Sequence, residues 1–292
     1  MRIGSIIQGR GGLYTVREDG GETYILRAKK KFRREKMTPL VGDHVHFTPG
    51  NLEEHGWLEE ILPRLSVSVR PPVANISQLI ITLAPEPQPD LLLVDKLLIF
   101  AFRQGILPLL VVNKADLAPH LHTKIQPAYT PAGVKVLSLS GETGAGMNDL
   151  AKEMGGHLNC FAGQSGTGKS TLISKLTGLK LEIGEISLRI HRGKQTTRHI
   201  TLIEAQGLRV LDTPGFSLLE LPEDLEPAQL RNYYPEYAAL SANCRFEPCL
   251  HDHEPGCAVT QSALTGKLHP ERLLRYRALL HQTREKWGKR YD

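Results

Sequence analysis

The tetrapeptide Asn113-Lys114-Ala115-Asp116 stands upstream of the run Gly163-Gln164-Ser165-Gly166-Thr167-Gly168-Lys169-Ser170, and this order constrains the fold more than any other feature of the chain. The later run has the Gly-x4-Gly-Lys-Ser spacing of a phosphate-binding loop, whose backbone N–H groups wrap phosphates at the start of a helix. Its surroundings agree. Asn159 to Ala162 reads as a short buried strand, and Thr171 to Leu179 has helical spacing. The tetrapeptide follows Ile106 to Val112, an apolar run of the kind that fills a buried parallel strand. Both motifs therefore belong to loops at strand ends, yet the loop that usually opens such a sheet comes late.

One nucleotide satisfies both. Lys169 neutralises β- and γ-phosphate oxygens, Ser170 ligates Mg²⁺, and Thr171 carries the loop into its helix. A carboxylate placed like Asp116 accepts the two guanine donors, N1–H and the exocyclic amine. Adenine would leave it unpaired, so the preference for guanine is strong. Asn113, Lys114 and Ala115 complete that motif, with the Lys114 stem packing on the base and the phosphate loop. Ser140-Gly141, after the strand-like Val134 to Leu139, stands where a further backbone contact to guanine is expected, although Glu142 replaces the usual lysine. Asp212-Thr213-Pro214-Gly215 follows the strand-like Leu208 to Leu211; Asp212 is expected on the water shell of Mg²⁺ and the Gly215 N–H at the γ-phosphate. Between these lies the polar, basic Gly193 to His199, whose Thr197, with Thr196 and Gln195 beside it, is expected to meet Mg²⁺ and the γ-phosphate. The implied ligands are GTP and Mg²⁺, and the implied catalytic set is Lys169, Gln195, Thr196, Thr197, Asp212 and Gly215.

In chain order the guanine motifs come first, then the phosphate loop, the Thr196-Thr197 segment and Asp212. A parallel sheet tolerates this when its termini are joined and the chain reopened elsewhere, because every strand keeps its neighbours. The expectation is an α/β P-loop GTPase of circularly permuted topology, with the segment after Asp212 running on into whatever the C-terminus forms.

At 292 residues and 40% hydrophobic content the chain is long enough for two or three domains with real cores. No apolar run approaches the roughly eighteen residues that span a bilayer, and Met1 to Arg10 lacks the apolar centre of a signal peptide. A soluble cytoplasmic protein without a membrane partner is expected, and the net charge of +5 is compatible with nucleic acid. Ile3 to Gln8, Gly12 to Glu18, Glu22 to Ala28, Asp43 to Thr48 and Gly56 to Leu62 alternate with glycine turns and predict the five strands of a small Greek-key β-barrel. After the third comes Arg27 to Lys36, a basic run around a single Phe32, readable as a solvated face or an RNA contact. Pro71 to Gln78 breaks the pattern before the buried Leu79 to Ala84. The expected domains are thus 1–70, 71–221 and 222–292, and Asp90 to Gly105 is the first helix of the middle one.

Cys244, Cys249, His251 and Cys257 fall within fourteen positions of one another. Three thiolates and an imidazole suit tetrahedral Zn²⁺, with His253 as a rival nitrogen ligand. Disulfides fail on the odd local count, and four protein ligands leave no open position, so one structural zinc is expected in a mainly α C-terminal subdomain. Cys160 is expected to be a core thiol. In the final helix, Leu273, Leu274, Tyr276, Leu279 and Leu280 are expected to face protein. Arg272, Arg275, Arg277, Arg284, Lys286, Lys289 and Arg290 are expected to leave a basic surface that faces RNA or docks.

The motif order, Gly193 to His199, Asp212 to Phe216 and the cysteine cluster resemble the ribosome small-subunit-dependent GTPases of the RsgA or YjeQ family, from the first strand to about Gln261. The resemblance implies an OB-fold for the barrel, rRNA contact by it, His251 as the nitrogen ligand, and a monomer whose partner is the late-maturing small (30S) ribosomal subunit with its rRNA. GTP would favour the bound enzyme and hydrolysis would release it. Phe216 directly follows Gly215, where Ras-like enzymes soon place a water-orienting glutamine, so unassisted turnover is expected to be slow. The family shares that replacement and often carries a histidine where this chain has Gln195. Its amide can orient water but cannot act as a base. Backbone groups, a group from the partner and His199 are the other candidates. Two further functions remain in view: a non-ribosomal regulatory GTPase acting on another RNA or protein, and an RNA-binding module with a vestigial nucleotide site. The intact Lys169, Ser170, Asp212 and Asp116 oppose the last.

Overall fold

Alternation of apolar and polar residues over the first sixty positions closes five strands on themselves. A computed structural model of the protein describes residues 1–18, 21–51, 54–69, 71–179, 200–212 and 220–289. In it β1 (Arg2–Arg10), β2 (Leu13–Glu18), β3 (Thr23–Ala28), β4 (His44–Thr48) and β5 (Gly56–Ile61) lie in the order β1-β2-β3-β5-β4, and β4 pairs back onto β1. The β3–β5 pair is parallel and the others are antiparallel. Ile6, Val16, Leu26, Val45, Phe47 and Leu58 point inward and are wholly buried. Gly56 is required where β5 crosses β4: a Cβ there would sit 2.3 Å from the Thr48 carbonyl oxygen. The basic insertion folds a short helix, α1 (Lys30–Arg34), and its buried Phe32 joins the barrel core.

The Pro71 to Gln78 stretch does not simply break structure. β6 (Val67–Val69) and β7 (Pro72–Ala74) pair as a two-stranded ribbon, with Pro72 opposite Val69 at the strand end, where its missing N–H costs nothing. Asn75, at φ 59°, fastens the ribbon by donating to the Gly42 carbonyl and accepting from the Leu65 N–H.

The second sheet is built from β8 (Gln78–Leu83), β9 (Leu107–Val112), β10 (Lys135–Ser138), β11 (Leu158–Ala162), β12 (Thr201–Ala205) and β13 (Leu208–Asp212), in the order β10-β9-β8-β11-β13-β12. All neighbours are parallel except β12 with β13. Every residue of β8 and β11 is buried, as expected for strands covered on both faces. The chain steps outward from β8 to β10, returns through α4 (Met147–Met154) to β11 beside β8, then steps the other way to β13. This reversal puts a topological switch point between β8 and β11, where α/β sheets bind ligands beyond the strands' carboxyl ends. Gln8 pairs with Thr201, so the sheet runs on from β12 into the barrel.

Beside this sheet lie α2 (Leu91–Arg103), α3 (Leu121–Tyr129) and α5 (Lys169–Thr177). Asp90 caps α2 by accepting from the Leu93 N–H at 2.9 Å. Beyond residue 220 come a 3-10 segment (Pro227–Tyr233), α6 (Pro235–Ser241), α7 (Ala258–Leu264) and α8 (Pro270–Gly288), around a core that includes Leu225, Leu230, Tyr234, Tyr237, Val259 and Tyr276. Ile99 of α2 enters that core.

Most basic residues of α8 have partners within the chain; Arg272 and Arg275 are turned into the molecule, while Arg284, Lys286 and Lys289 stay at the surface. Arg272 and Arg275 pair with Asp95, Arg277 donates to the His251 carbonyl and the Thr260 hydroxyl, Arg284 pairs with Asp252, and Lys286 with Glu220. Leu274 is 61% exposed rather than packed. Arg290 lies outside the described residues. Among the described residues no helix is long and apolar enough to cross a membrane.

Candidate nucleotide site and metal centre

The loops after β9, β10 and β11 meet through one side chain. Asn113, buried at the end of β9, donates from Nδ2 to the Thr167 carbonyl at 2.9 Å, and its Oδ1 accepts from the Gly141 N–H at 2.9 Å. A single amide thus holds the three sequence motifs together, its NH2 and its carbonyl oxygen serving different loops. Lys114, at φ 59°, turns back so that its ammonium donates to the Glu86 carbonyl at 2.8 Å. The Ala115 N–H donates to the Leu139 carbonyl at 3.0 Å, which leaves Asp116 exposed beyond the strand ends. Ser140 is buried, and its hydroxyl accepts from the Thr143 N–H at 3.1 Å, shaping the turn that presents Gly141. Glu142, in the place of the usual lysine, gives its carbonyl to the Lys175 ammonium of α5 at 2.9 Å.

Two glycines of the phosphate loop are fixed by space as well as by conformation. Gly163 has φ 120°, and a Cβ there would lie 2.3 Å from the Thr82 carbonyl oxygen; Gly168, at φ 92°, would press 2.4 Å from the Asn113 amide nitrogen. Thr167 is buried and its hydroxyl donates to the Gln164 carbonyl at 2.9 Å. Ser165 and Gly166 are exposed, while Ser170 and Thr171 are half-buried in the first turn of α5. Lys169 curls over the loop, donating to the Gly163 and Gln164 carbonyls at 2.8 and 2.5 Å. Its burial pushes the ammonium down to about 8. Asp212, at the end of β13, is half-buried, and burial raises its carboxyl above the ordinary range.

Gln195, Thr196, Thr197 and Gly215 lie outside the described residues, as does Phe216. The sequence reading missed the segment Pro85 to Asp90. Gln164 reaches it with both ends of its amide, accepting from the Asp90 N–H at 2.9 Å and donating to the Gln88 carbonyl at 3.0 Å. Three prolines in six positions are the signal its sequence offers.

In the C-terminal region the ligand atoms of Cys244, Cys249, His251 and Cys257 all lie within 4.8 Å of one another. His251 is fully buried at φ 58°, with Nδ1 at 3.5 Å from Cys257 Sγ and 3.8 Å from Cys244 Sγ. Its other ring nitrogen lies 3.0 Å from the Ser241 hydroxyl, the kind of partner that fixes a ligating ring. The N–H groups of Ala258 and Thr260 donate to Cys244 Sγ and Cys257 Sγ, each at 3.4 Å. His253 is 84% exposed beside Asp252 and is no part of the cluster. This donor set fits a tetrahedral metal ion. Cys160 is buried in β11, as a core thiol should be.

A largely parallel sheet with a guanine-type motif after its second strand in chain order, β9, and its phosphate loop only after the fourth, β11, defines a circularly permuted P-loop GTPase. The family model described as RsgA GTPase matches residues 61–222, and that of the RsgA N-terminal domain matches residues 3–58. The chain belongs to the RsgA GTPase family. It is 41% identical over 281 residues to a protein of Ruminiclostridium cellulolyticum named small ribosomal subunit biogenesis GTPase RsgA, covering 94% of this chain and 92% of that one. A Geobacillus protein of the same name is 39% identical over 98% of this chain and 99% of its own. Among solved structures, YjeQ from Thermotoga maritima superposes with a TM-score of 0.82 at 29% identity, covering 97% of this chain and 98% of that one. YloQ, described as a circularly permuted GTPase, gives 0.80 at 29%, covering 98% and 96%.

Proposed function

We propose that the protein hydrolyses GTP in the late maturation of the small ribosomal subunit, with slow intrinsic turnover that the subunit stimulates. The observation that carries the reading is the Asn113 clip, which joins the guanine-type motif, the Gly141 turn and the phosphate loop at one switch point. The names of the relatives supply the partner. In this reading Asp116, with Asn113, Lys114, Ala115, Ser140 and Gly141, receives guanine. The loop from Gly163 to Thr171 receives the phosphates, and Lys169 leaves its loop carbonyls for their oxygens. Ser170 and Thr197 would hold Mg²⁺, with Asp212 on its water shell; the ion supplies charge neutralisation at the phosphates. Gly215 would donate to the γ-phosphate, and Gln195 would orient the attacking water.

Cys244, Cys249, His251 and Cys257 would hold zinc as a cross-link for a subdomain of short helices. The labour divides over 1–70, 71–221 and 222–292: the barrel contacts rRNA through its basic insertion, the middle part turns over GTP, and the C-terminal part, tethered behind Asp212, receives the nucleotide state. A monomer of the cytoplasm suits this role.

The test is GTP hydrolysis by the purified protein alone, with small subunits and with large subunits. Strong stimulation by small subunits only is the expected result. Equal stimulation by both, or by neither, would end the ribosomal reading and favour another RNA or protein partner.

A further inference from the structure

We propose that the outer face of the barrel stacks an unpaired RNA base on the indole of Trp57, beside Arg27; this rests on the reading of the barrel as the rRNA-contacting part. The strand registers place the two side chains together. Arg27 on β3 is the partner of Trp57 on β5, and Trp57 is in turn the partner of Thr48 on β4. Their neighbours Leu26 and Leu58 point inward and are wholly buried, so Arg27 and Trp57 share the outward face.

Nothing in the barrel's own packing asks for tryptophan there. The inward positions are already filled, and Trp57 is 43% exposed with Ile25, two residues before Arg27 on the same face, 52% exposed. Single exposed apolar residues need no explanation, but an indole next to a guanidinium at the mouth of a cationic segment has a specific use. The carboxylate of Glu59, next along that face, is ion-paired with Lys29. Directly beyond β3, α1 is pinned by Phe32 and leaves Lys30, Lys31, Arg33 and Arg34 exposed. An aromatic face with a row of cations beside it is what a single strand recognises: the base stacks and the phosphates follow the charges. A duplex hides its base faces, so the site should prefer an unpaired segment.

The chain has two tryptophans, so Trp287→Phe leaves Trp57 as the sole indole reporter. The expected result is fluorescence quenching that saturates with a short single-stranded oligoribonucleotide and is far weaker with a duplex of the same length. Trp57→Ala should bind the single strand about tenfold more weakly, and Trp57→Phe, which keeps a ring, should recover most of the loss. Circular dichroism matching the parent would show that the exposed position is not needed for folding. Unchanged Trp57 fluorescence on binding, no binding of single strands by the parent, or equal affinity of Trp57→Ala and parent would each overturn the proposal. These titrations are made without nucleotide or ribosomes. Absence of small-subunit stimulation in the parent would therefore count against the GTPase reading and leave the stacking result standing.

Discussion

Asp95 on α2 and Arg272 on α8 form an ion pair at 2.6 Å with side chains 0% and 3% exposed, tying the first helix of the GTPase sheet to the last helix of the chain. Arg272 also pairs with Glu236, Arg275 reaches the other Asp95 oxygen at 2.8 Å, and the Arg272 guanidinium lies over the rings of Tyr129 and Tyr234. The Asp90 end of α2 is held by Gln164 of the phosphate loop. One helix therefore touches the nucleotide loop at its start and the C-terminal core along its side.

Truncating Arg272 to Ala should leave Glu236 buried and uncompensated. Breaking a buried pair from one side costs about 3–5 kcal/mol. The expected loss falls on the C-terminal region, seen as an early phase in urea unfolding followed by tyrosine absorbance. Arg272→Lys, which keeps the charge but not the planar fork, should lie between the two. A variant as stable as the parent would show that the network contributes nothing.

Replacing Asn113 by Ala removes a donor from the Thr167 carbonyl and an acceptor from the Gly141 N–H. Each buried group left unsatisfied costs about 1–3 kcal/mol, so GTP affinity should fall at least tenfold and thermal stability should fall with it. Asn113→Asp keeps the acceptor for Gly141 but sets a carboxylate against the Thr167 carbonyl, and should be no better. Calorimetric titration of GTP separates these outcomes from a protein that merely melts earlier.

The nucleotide loops were legible because their chemistry needs contiguous residues: Gly163 to Ser170 and Asn113 to Asp116 carry their own signatures, and apolar runs before them marked the strands. The five barrel strands were legible from alternation. The face of α8 was not. Its arginines read as surface because their partner Asp95 lies 177 positions away from Arg272, and no local pattern reports such a pairing. The choice between His251 and His253 was closed to spacing alone; it depends on a positive φ that turns one ring inward and leaves the other in water.

That contrast makes the metal centre testable residue by residue. His251→Ala should lose bound zinc, measured by elemental analysis of the purified protein, and should loosen residues 244–257 to proteolysis. His253→Ala should keep one zinc per chain. Retention of metal by His251→Ala would overturn the ligand set. Chelation of the parent should likewise melt this region while leaving the barrel strands intact.

Lys169 gives a pH prediction with a definite sign. Burial lowers its pKa in the nucleotide-free protein to about 8, well below the ordinary lysine value, and phosphates would favour the charged form. Below pH 8 the ammonium is charged before and after binding, so affinity should be flat. Above it, binding must take up a proton, and GTP affinity should fall by up to about tenfold per pH unit. Calorimetry between pH 7 and 9 in buffers of different ionisation enthalpy should find proton uptake rising across that range. Lys169→Arg, always charged, should show none.

Gln195 carries the water-positioning step of hydrolysis and the sharpest kinetic test. Phe216 offers no polar group to the attacking water, so some other residue or the partner must orient it. A glutamine amide can accept from that water and donate to a phosphate oxygen, but it has no basicity near neutral pH. If Gln195 acts this way, Gln195→Ala should reduce small-subunit-stimulated kcat by about a hundredfold, the scale of a lost positioning contact, while GTP affinity stays within a factor of two. Gln195→His would add a titrating group, and its stimulated rate should then rise with pH through the imidazole range, near 6.5, where the parent rate is flat. Unchanged stimulated turnover in Gln195→Ala would move the water-positioning role to the ribosome or to His199, and His199→Ala under the same conditions would decide between them.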